Sequence, residues 1–151
     1  MKKYILIFAA SAFILFVNTA KAQTDTAAFT GARAKLKHYD ALYILNSNDE
    51  KKIKGTLHNI NNALEDKRLK GKLHVELIAF GDGIAVYMKS SPYEQTLEEL
   101  KTKGVVLAQC SKTIKERKID KKDLFPFVSF VPSGNGEIIL RQYEGWAVVH
   151  P

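Results

Sequence analysis

Five short apolar runs recur along this 151-residue chain, and between them lie segments whose apolar residues fall at helical spacing. The runs are "ALYIL" (41–45), "LHVELIAFG" (73–81), "VVLAQ" (105–109), "FVSFV" (127–131) and "AVVH" (147–150). A continuous apolar run such as "ALYIL" reads as a strand buried on both faces. Strands that alternate with helices argue for βαβ units and a mainly parallel sheet covered on both sides. Between the first two runs, Ile53, Leu57, Ile60 and Leu64 form one helical stripe. Ser47 and Glu50 before them have the spacing of a capping box. "DGIAVYMKS" predicts a short helix after the second run. Ser91, Pro92 and Glu94 predict another helix start, with proline at the first helical position and a second capping box. Its apolar face is Leu97 and Leu100, and Gly104 is its stop signal. A short helix is expected from Ser111 to Lys118, and "GEIILRQYEGW" predicts the last one.

The first 22 residues belong to a different pattern. Lys2 and Lys3 precede an apolar stretch at 4–17, and Ala20-Lys21-Ala22 has the small-x-small form of a cleavage site. That stretch is short for a bilayer-spanning helix, which needs about 20 residues. A cleaved signal peptide over residues 1–22 is expected, leaving Gln23 as the first mature residue and a periplasmic or secreted protein. No stable membrane insertion is expected after cleavage. Residues 23–38 read as a polar, flexible lead-in in which Phe29 alone offers a side chain to dock. One domain, residues 39–151, follows.

Loss of the leader removes Lys2, Lys3 and Lys21 with no acid, so the formal charge falls from +7 to +4. The remaining cations are interleaved with acids, as in "DEKKIKG" and "EELKTKG", which describes a solvated surface rather than a nucleic-acid footprint. Cys110 is the only cysteine, so no internal disulfide can form. The histidines His38, His58, His74 and His150 include no pair at helical metal-site spacing, so neither a metal nor another cofactor is implied.

In open sheets of parallel strands, ligands bind beyond the carboxyl ends of the strands. Three stretches fall there: "FGDG", "CSKT" and "PSGNG". Cys110 ends a strand just before a helix begins, where backbone donors with positive partial charge stabilise a thiolate. The plainer reading is a small buried hydrophobe, since free cysteine is among the most buried residue types. The turns Gly81-Asp82-Gly83 and Gly134-Asn135-Gly136 match neither a P-loop nor a dinucleotide fingerprint, and sharp strand-to-helix turns account for their glycines.

Taken in order, these motifs resemble the DsrE/DsrF-like (DsrEFH-like) family of sulfur-relay and related proteins. "ELIAFGDGI" is similar to its strand-plus-glycine turn and "LKTKGVVLAQCSKTIKERKI" to its glycine–strand–cysteine–helix segment. "FVSFVPSGNGEIILRQYEGWAVVHP" is similar to its C-terminal run. The resemblance spans residues 39–151. It implies a three-layer α/β/α domain on a mostly parallel five-stranded sheet, and a homo-oligomer, dimer or trimer. It also places Cys110 where relay members accept sulfur as a persulfide from thiol partner proteins. Such members work in the reducing cytoplasm, whereas an exported member meets a more oxidising space.

Three readings follow. The first is a persulfide carrier in which Cys110 accepts sulfur while Ser111 and Thr113 orient it. The second is a non-catalytic module that binds a small anion or a protein in the strand-end crevice, through Gly81, Gly83, Ser133, Gly134 and Asn135. The third is a structural oligomer with Cys110 packed at a subunit interface.

Overall fold

The computed structural model describes residues 28–151, and the expected signal peptide lies outside the described residues. The five apolar runs form five strands: β1 (Tyr39–Leu45), β2 (Leu73–Ala79), β3 (Val106–Cys110), β4 (Ser129–Val131) and β5 (Ala147–Val149). The helices are α1 (Glu50–Glu65), α2 (Glu94–Thr102), α3 (Ser111–Arg117) and α4 (Gly134–Tyr143). The helix expected after β2 is a 3-10 helix, Gly81–Tyr87, and a further 3-10 turn covers Lys121–Asp123. Residues 28–38 have no regular helix or strand, and Phe29, expected to dock, is 94% exposed.

The sheet has the order β4-β3-β2-β1-β5, and every pairing is parallel. This order explains how the layers fill. Parallel crossovers are almost always right-handed. The steps β1 to β2 to β3 to β4 all run in one direction, so α1, α2 and α3 land on one face. The step from β4 back to β5 runs in the opposite direction, so α4 lands on the other. The packing agrees. Ile53, Leu57 and Ile60 of α1, Leu97 and Leu100 of α2 and Ile114 of α3 share one buried cluster with Tyr43, Leu77 and Leu107 of the sheet. Ile138 of α4 packs on a small second cluster of Leu42, Ile78 and Ala108. The architecture is the expected three-layer α/β/α with a five-stranded sheet, its second layer thinner than its first.

Both expected capping boxes are replaced by other caps. Asp49, not Ser47, caps α1: its side chain accepts from the Lys52 amide at 2.8 Å, while Ser47 only accepts from Asp49 at 3.2 Å. Either residue supplies the oxygen a cap needs, and the one adjacent to the first turn wins. At α2 the N-cap is Tyr93 with no side-chain bond, and Ser91 instead donates to the Val86 carbonyl at 3.0 Å.

Candidate functional site

The carboxyl end of the sheet offers one crevice that the topology itself creates. Adjacent strands followed by helices on opposite faces leave a gap beyond their carboxyl ends. Here those strands are β3, followed by α3 on the thick side, and β4, followed by α4 on the thin side. Cys110 and Val131 are register partners at that boundary. A pocket of about 210 Å³ opens there, lined by Phe80, Gly81, Cys110, Lys112, Thr113, Glu116, Ser133, Gly134 and Asn135.

Cys110 is both the last residue of β3 and the N-cap of α3. By strand alternation its side chain is on the face of Ala108, the thin side, and it is 5% exposed. Burial pushes the thiol pKa up and is the largest single influence on it. Backbone amides of Thr113 and Gly134, the Thr113 hydroxyl and the Lys112 amide act the other way, and their sum holds the thiol below its ordinary value. Donor groups of α3 and α4 therefore lie near Sγ, which makes no capping hydrogen bond of its own. The buried-hydrophobe reading accounts for the low exposure but not for a thiol held below its ordinary value, since an apolar site would raise it.

The remaining walls are built by close contacts. Ser133 caps α4 by accepting from the Gly136 amide at 3.3 Å, which fixes the first turn, whose Gly134 lines the pocket with Cys110. Gly134 packs so tightly on Phe80 that an added Cβ would lie 3.0 Å from its ring. Gly81 has φ +55°, a left-handed conformation that favours glycine, and its amide donates to Thr113 Oγ1 at 3.0 Å. Arg117 of α3 pairs with Asp82 at 2.6 Å, tying that helix to the 3-10 segment.

Of the residues singled out in the sequence, Cys110, Thr113, Gly81, Ser133, Gly134 and Asn135 meet around this pocket. Ser111 begins α3 but does not line the pocket. Gly83 lies beneath the turn, where a Cβ would stand 2.0 Å from the Leu45 carbonyl oxygen. Its role is close packing of the turn on β1. Phe80, Lys112 and Glu116 complete the lining, and of these only Glu116 lies outside the three stretches singled out in the sequence. Phe80 shares the parity of Ile78 along β2 and was legible as a thin-side residue; exposed Glu116 carried no signal.

No histidine lines the pocket. His74 bonds Asp40 at 3.0 Å at the opposite strand end, and His150 lies 3.4 Å from Asn46. Among the described residues no group of three or more His, Cys, Asp or Glu could hold a metal ion, and no helix is long and apolar enough to cross a membrane. A larger groove of about 680 Å³ lies between α1 and α2, but it holds no cysteine. Its cations are also engaged: Lys54 with Glu50, and Lys103 with Asn61 and Glu65. The smaller pocket holds the one cysteine of the chain.

A parallel five-stranded sheet in a three-layer α/β/α arrangement defines the class of domain. The chain belongs to the DsrE/DsrF-like family, whose model matches residues 12–151. It is similar to the protein of unknown function MTH1491 from Methanobacterium thermoautotrophicum, at 32% identity and a TM-score of 0.71, over 75% of this chain and 99% of that one. It shares its fold with the conserved protein of unknown function BT1422 from Bacteroides thetaiotaomicron, at 8% identity and a TM-score of 0.59, over 74% and 94% of the two chains. The ychN protein from E. coli aligns at 18% identity and a TM-score of 0.50, over 77% and 100%. No curated protein matches the chain.

Proposed function

We propose that this protein handles sulfane sulfur, carrying it as a persulfide on Cys110. The observation that carries the reading is the place of Cys110 in the small pocket between the carboxyl ends of β3 and β4, beside Thr113 and Gly134 at the starts of α3 and α4, with its thiol held below its ordinary value. A thiolate is the attacking form of cysteine, and donors that favour it prepare the sulfur for exchange. With thiosulfate as donor, Sγ attacks the outer sulfur. The Sγ–S bond forms, the donor S–S bond breaks, and sulfite leaves with the electron pair. An acceptor thiolate then attacks the outer sulfur, takes it as its own persulfide, and returns Cys110 to the thiolate. No external oxidant or reductant enters either step.

The test is intact mass of the purified protein before and after a thiosulfate or polysulfide challenge, with Cys110→Ser beside it. A gain of about 32 Da per sulfur, absent from the variant and passed to an acceptor thiol, is the expected result. Ligand retention in the pocket without any mass gain, unchanged in Cys110→Ser, would instead mark the crevice as a non-covalent anion or protein site.

The leader pattern supports an exported, periplasmic setting, in which the protein isolated from that compartment begins at Gln23. A second reading, self-association into a dimer or trimer, is favoured by the outer side of α4. Ile139, Leu140 and Tyr143 lie there uncovered, beside exposed Val148 on edge strand β5. Parallel sheets are normally covered on both faces, and another copy supplies the missing cover.

A further inference from the structure

The helix that covers the thin side, α4, is lightly held. Of its ten residues only Gly134 is buried, while Ile138 packs partly buried on Leu42, Ile78 and Ala108. Its tie to the sheet by charge is the ion pair of Arg141 with Glu76 of β2 at 2.9 Å. The two members of that pair differ in what they can fall back on. Arg141 has two further carboxylates close to it in sequence, Glu137 at 2.9 Å and Glu144 at 3.1 Å. Glu76 is 1% exposed, and its Oε1 has no hydrogen-bond partner among the described residues. A guanidinium divided among three carboxylates compensates none of them fully. A buried carboxylate with one oxygen unbonded is a costly place for a charge. The neighbouring strands bring no relief, since the register partners of Glu76 are Leu42 of β1 and Val106 of β3, and Val148 of β5 pairs in turn with Leu42. Tyr87 of the 3-10 segment is uncharged, because burial holds its phenol well above the ordinary pKa. The next residues on the same face toward the amino edge, His74 and Asp40, bond each other at 3.0 Å, with His38 beside Asp40 at 3.8 Å.

We infer that α4 is a movable wall, seated on the sheet while Glu76 carries a proton and loosened as Glu76 ionises, so that rising pH opens the pocket at Cys110. Gly134 and Asn135 of α4 line that pocket, and a helix of ten residues, about 15 Å long, moves as a unit. The sign follows from the burial of Glu76. Burial is the largest influence on its carboxyl and raises the pKa; Arg141 opposes that rise, and Glu137 and Glu144 add to it. Lifting α4 returns Glu76 to water, where a carboxyl holds its proton less tightly. The proton therefore stabilises the seated helix, and its loss as the pH rises withdraws that stabilisation. Once lifted, Arg141 keeps Glu137 and Glu144, so the open state strands no cation. Persulfide chemistry is not required for any of this, and the Cys110 thiol serves in the test only as a reporter.

The experiment is amide hydrogen exchange of the whole protein from pH 5 to pH 8, corrected for intrinsic exchange at each pH, with α1 on the thick side as the internal reference. Local opening is what such protection reads. In the original chain the protection of α4 relative to α1 is expected to fall by about threefold or more as the pH rises. Glu76→Gln keeps the shape and the acceptor for Arg141 but cannot ionise, and its α4 is expected to stay protected across the range. That variant leaves His38, Asp40 and His74 in place, so a fall that persists in it belongs to them and overturns the inference. Arg141→Ala leaves Glu76 without its cation, and its fall is expected to be steeper than in the original chain; it carries the test where Glu76→Gln does not fold. A ratio of α4 to α1 protection that is flat with pH in the original chain also overturns the inference. Alkylation of Cys110 by iodoacetamide at pH 8 then reads the pocket. It is expected to be slower in Glu76→Gln than in the original chain at the same pH, and equal rates would overturn the claim that motion of α4 opens the pocket. Sulfur loading of Cys110 is scored separately, so the persulfide reading can fail while α4 still responds to pH, and the reverse.

Discussion

The two faces of the sheet are built on different terms. On the thick side α1, α2 and α3 bury a continuous apolar cluster in which Leu77, Ile60, Val86, Tyr87 and Leu97 are wholly enclosed. The phenol of wholly enclosed Tyr87 is satisfied, since its hydroxyl donates to the Leu77 carbonyl at 2.8 Å. On the thin side only Leu42, Ile78 and Ala108 are fully buried apolar residues, and Glu76 lies among them as a carboxylate 1% exposed. Glu76 is held by Arg141 of α4 at 2.9 Å, and Arg141 also reaches Glu137 and Glu144 and stacks over Trp146 at 4.3 Å. Cys110 belongs to this second side. The thick face holds the fold together, and the thin face is left polar, partly open and equipped for chemistry. A right-handed connection rule that puts three helices on one side and a single helix on the other is enough to produce that division.

The comparison breaks first if the thick side proves dispensable. Leu77→Ala removes a fully enclosed side chain, and a loss of about 2–5 kcal/mol is expected in urea unfolding. A value under about 1 kcal/mol would mean that the site collapses freely and that the thick cluster is not the source of stability. On the thin side, Arg141→Ala leaves Glu76 buried without its cation, at a cost of up to about 3 kcal/mol at pH 8. Burial chiefly, and then neighbouring Glu137 and Glu144, raise the pKa of Glu76, against the opposing pull of Arg141. A carboxyl whose folded pKa is raised contributes stability that is fully present below its unfolded pKa and lost as pH rises through the folded one. Removal of Arg141 raises Glu76 further, so the penalty is expected to shrink as the pH falls and Glu76 takes up a proton. Exposed Asp66 gives the opposite sign. Its pKa is lowered to about 2, first by the side chain of Arg68, so its small contribution is present above the unfolded value and fades as acid approaches pH 2. Unfolding curves at pH 4, 6 and 8 separate the two. An Arg141→Ala penalty independent of pH would remove the charge from the account.

What the sequence disclosed divides along the same line. The thick side announced itself through periodicity: Ile53, Leu57 and Ile60 were legible as a stripe, and all five strands lie on the apolar runs. The local caps were less legible, because "SND" before α1 offers several side-chain oxygens and only backbone geometry selects Asp49. The candidate pocket was legible at its ends and not in its walls. Cys110 and the "PSGNG" turn sit at strand termini, where the sheet rule directs attention. The contact between Thr113 and Gly81 joins residues 32 apart in sequence, and no local pattern encodes it. The crevice between β3 and β4 depends on the strand order, which spacing alone does not fix. The orientation of α4 was not legible either, for "EIILRQY" predicts a helix without showing which side meets the sheet. In the structure Ile138 and Arg141 face the sheet, while Ile139, Leu140 and Tyr143 face away.

That outward face supplies the smallest effect on the isolated fold and the clearest discrimination between the two sides. Leu140 is 61% exposed, so Leu140→Ser is expected to change the stability of a single chain by no more than about 0.5 kcal/mol. The charges beside it are already spoken for, since Arg141 is shared among Glu76, Glu137 and Glu144. The patch therefore offers a partner apolar area and little unpaired charge, and a second copy of the same face fits it without leaving an ion unmatched. Sedimentation velocity over a range of protein concentrations then reads the outcome. A dimer or trimer in the original chain that falls to monomer in Leu140→Ser, with unfolding otherwise unaltered, places self-association on α4 and gives the thin side its cover. A monomer throughout, with Leu140→Ser indistinguishable, leaves that face open to solvent and removes the self-association reading; the pocket beneath α4 would then have to be closed by the single helix alone.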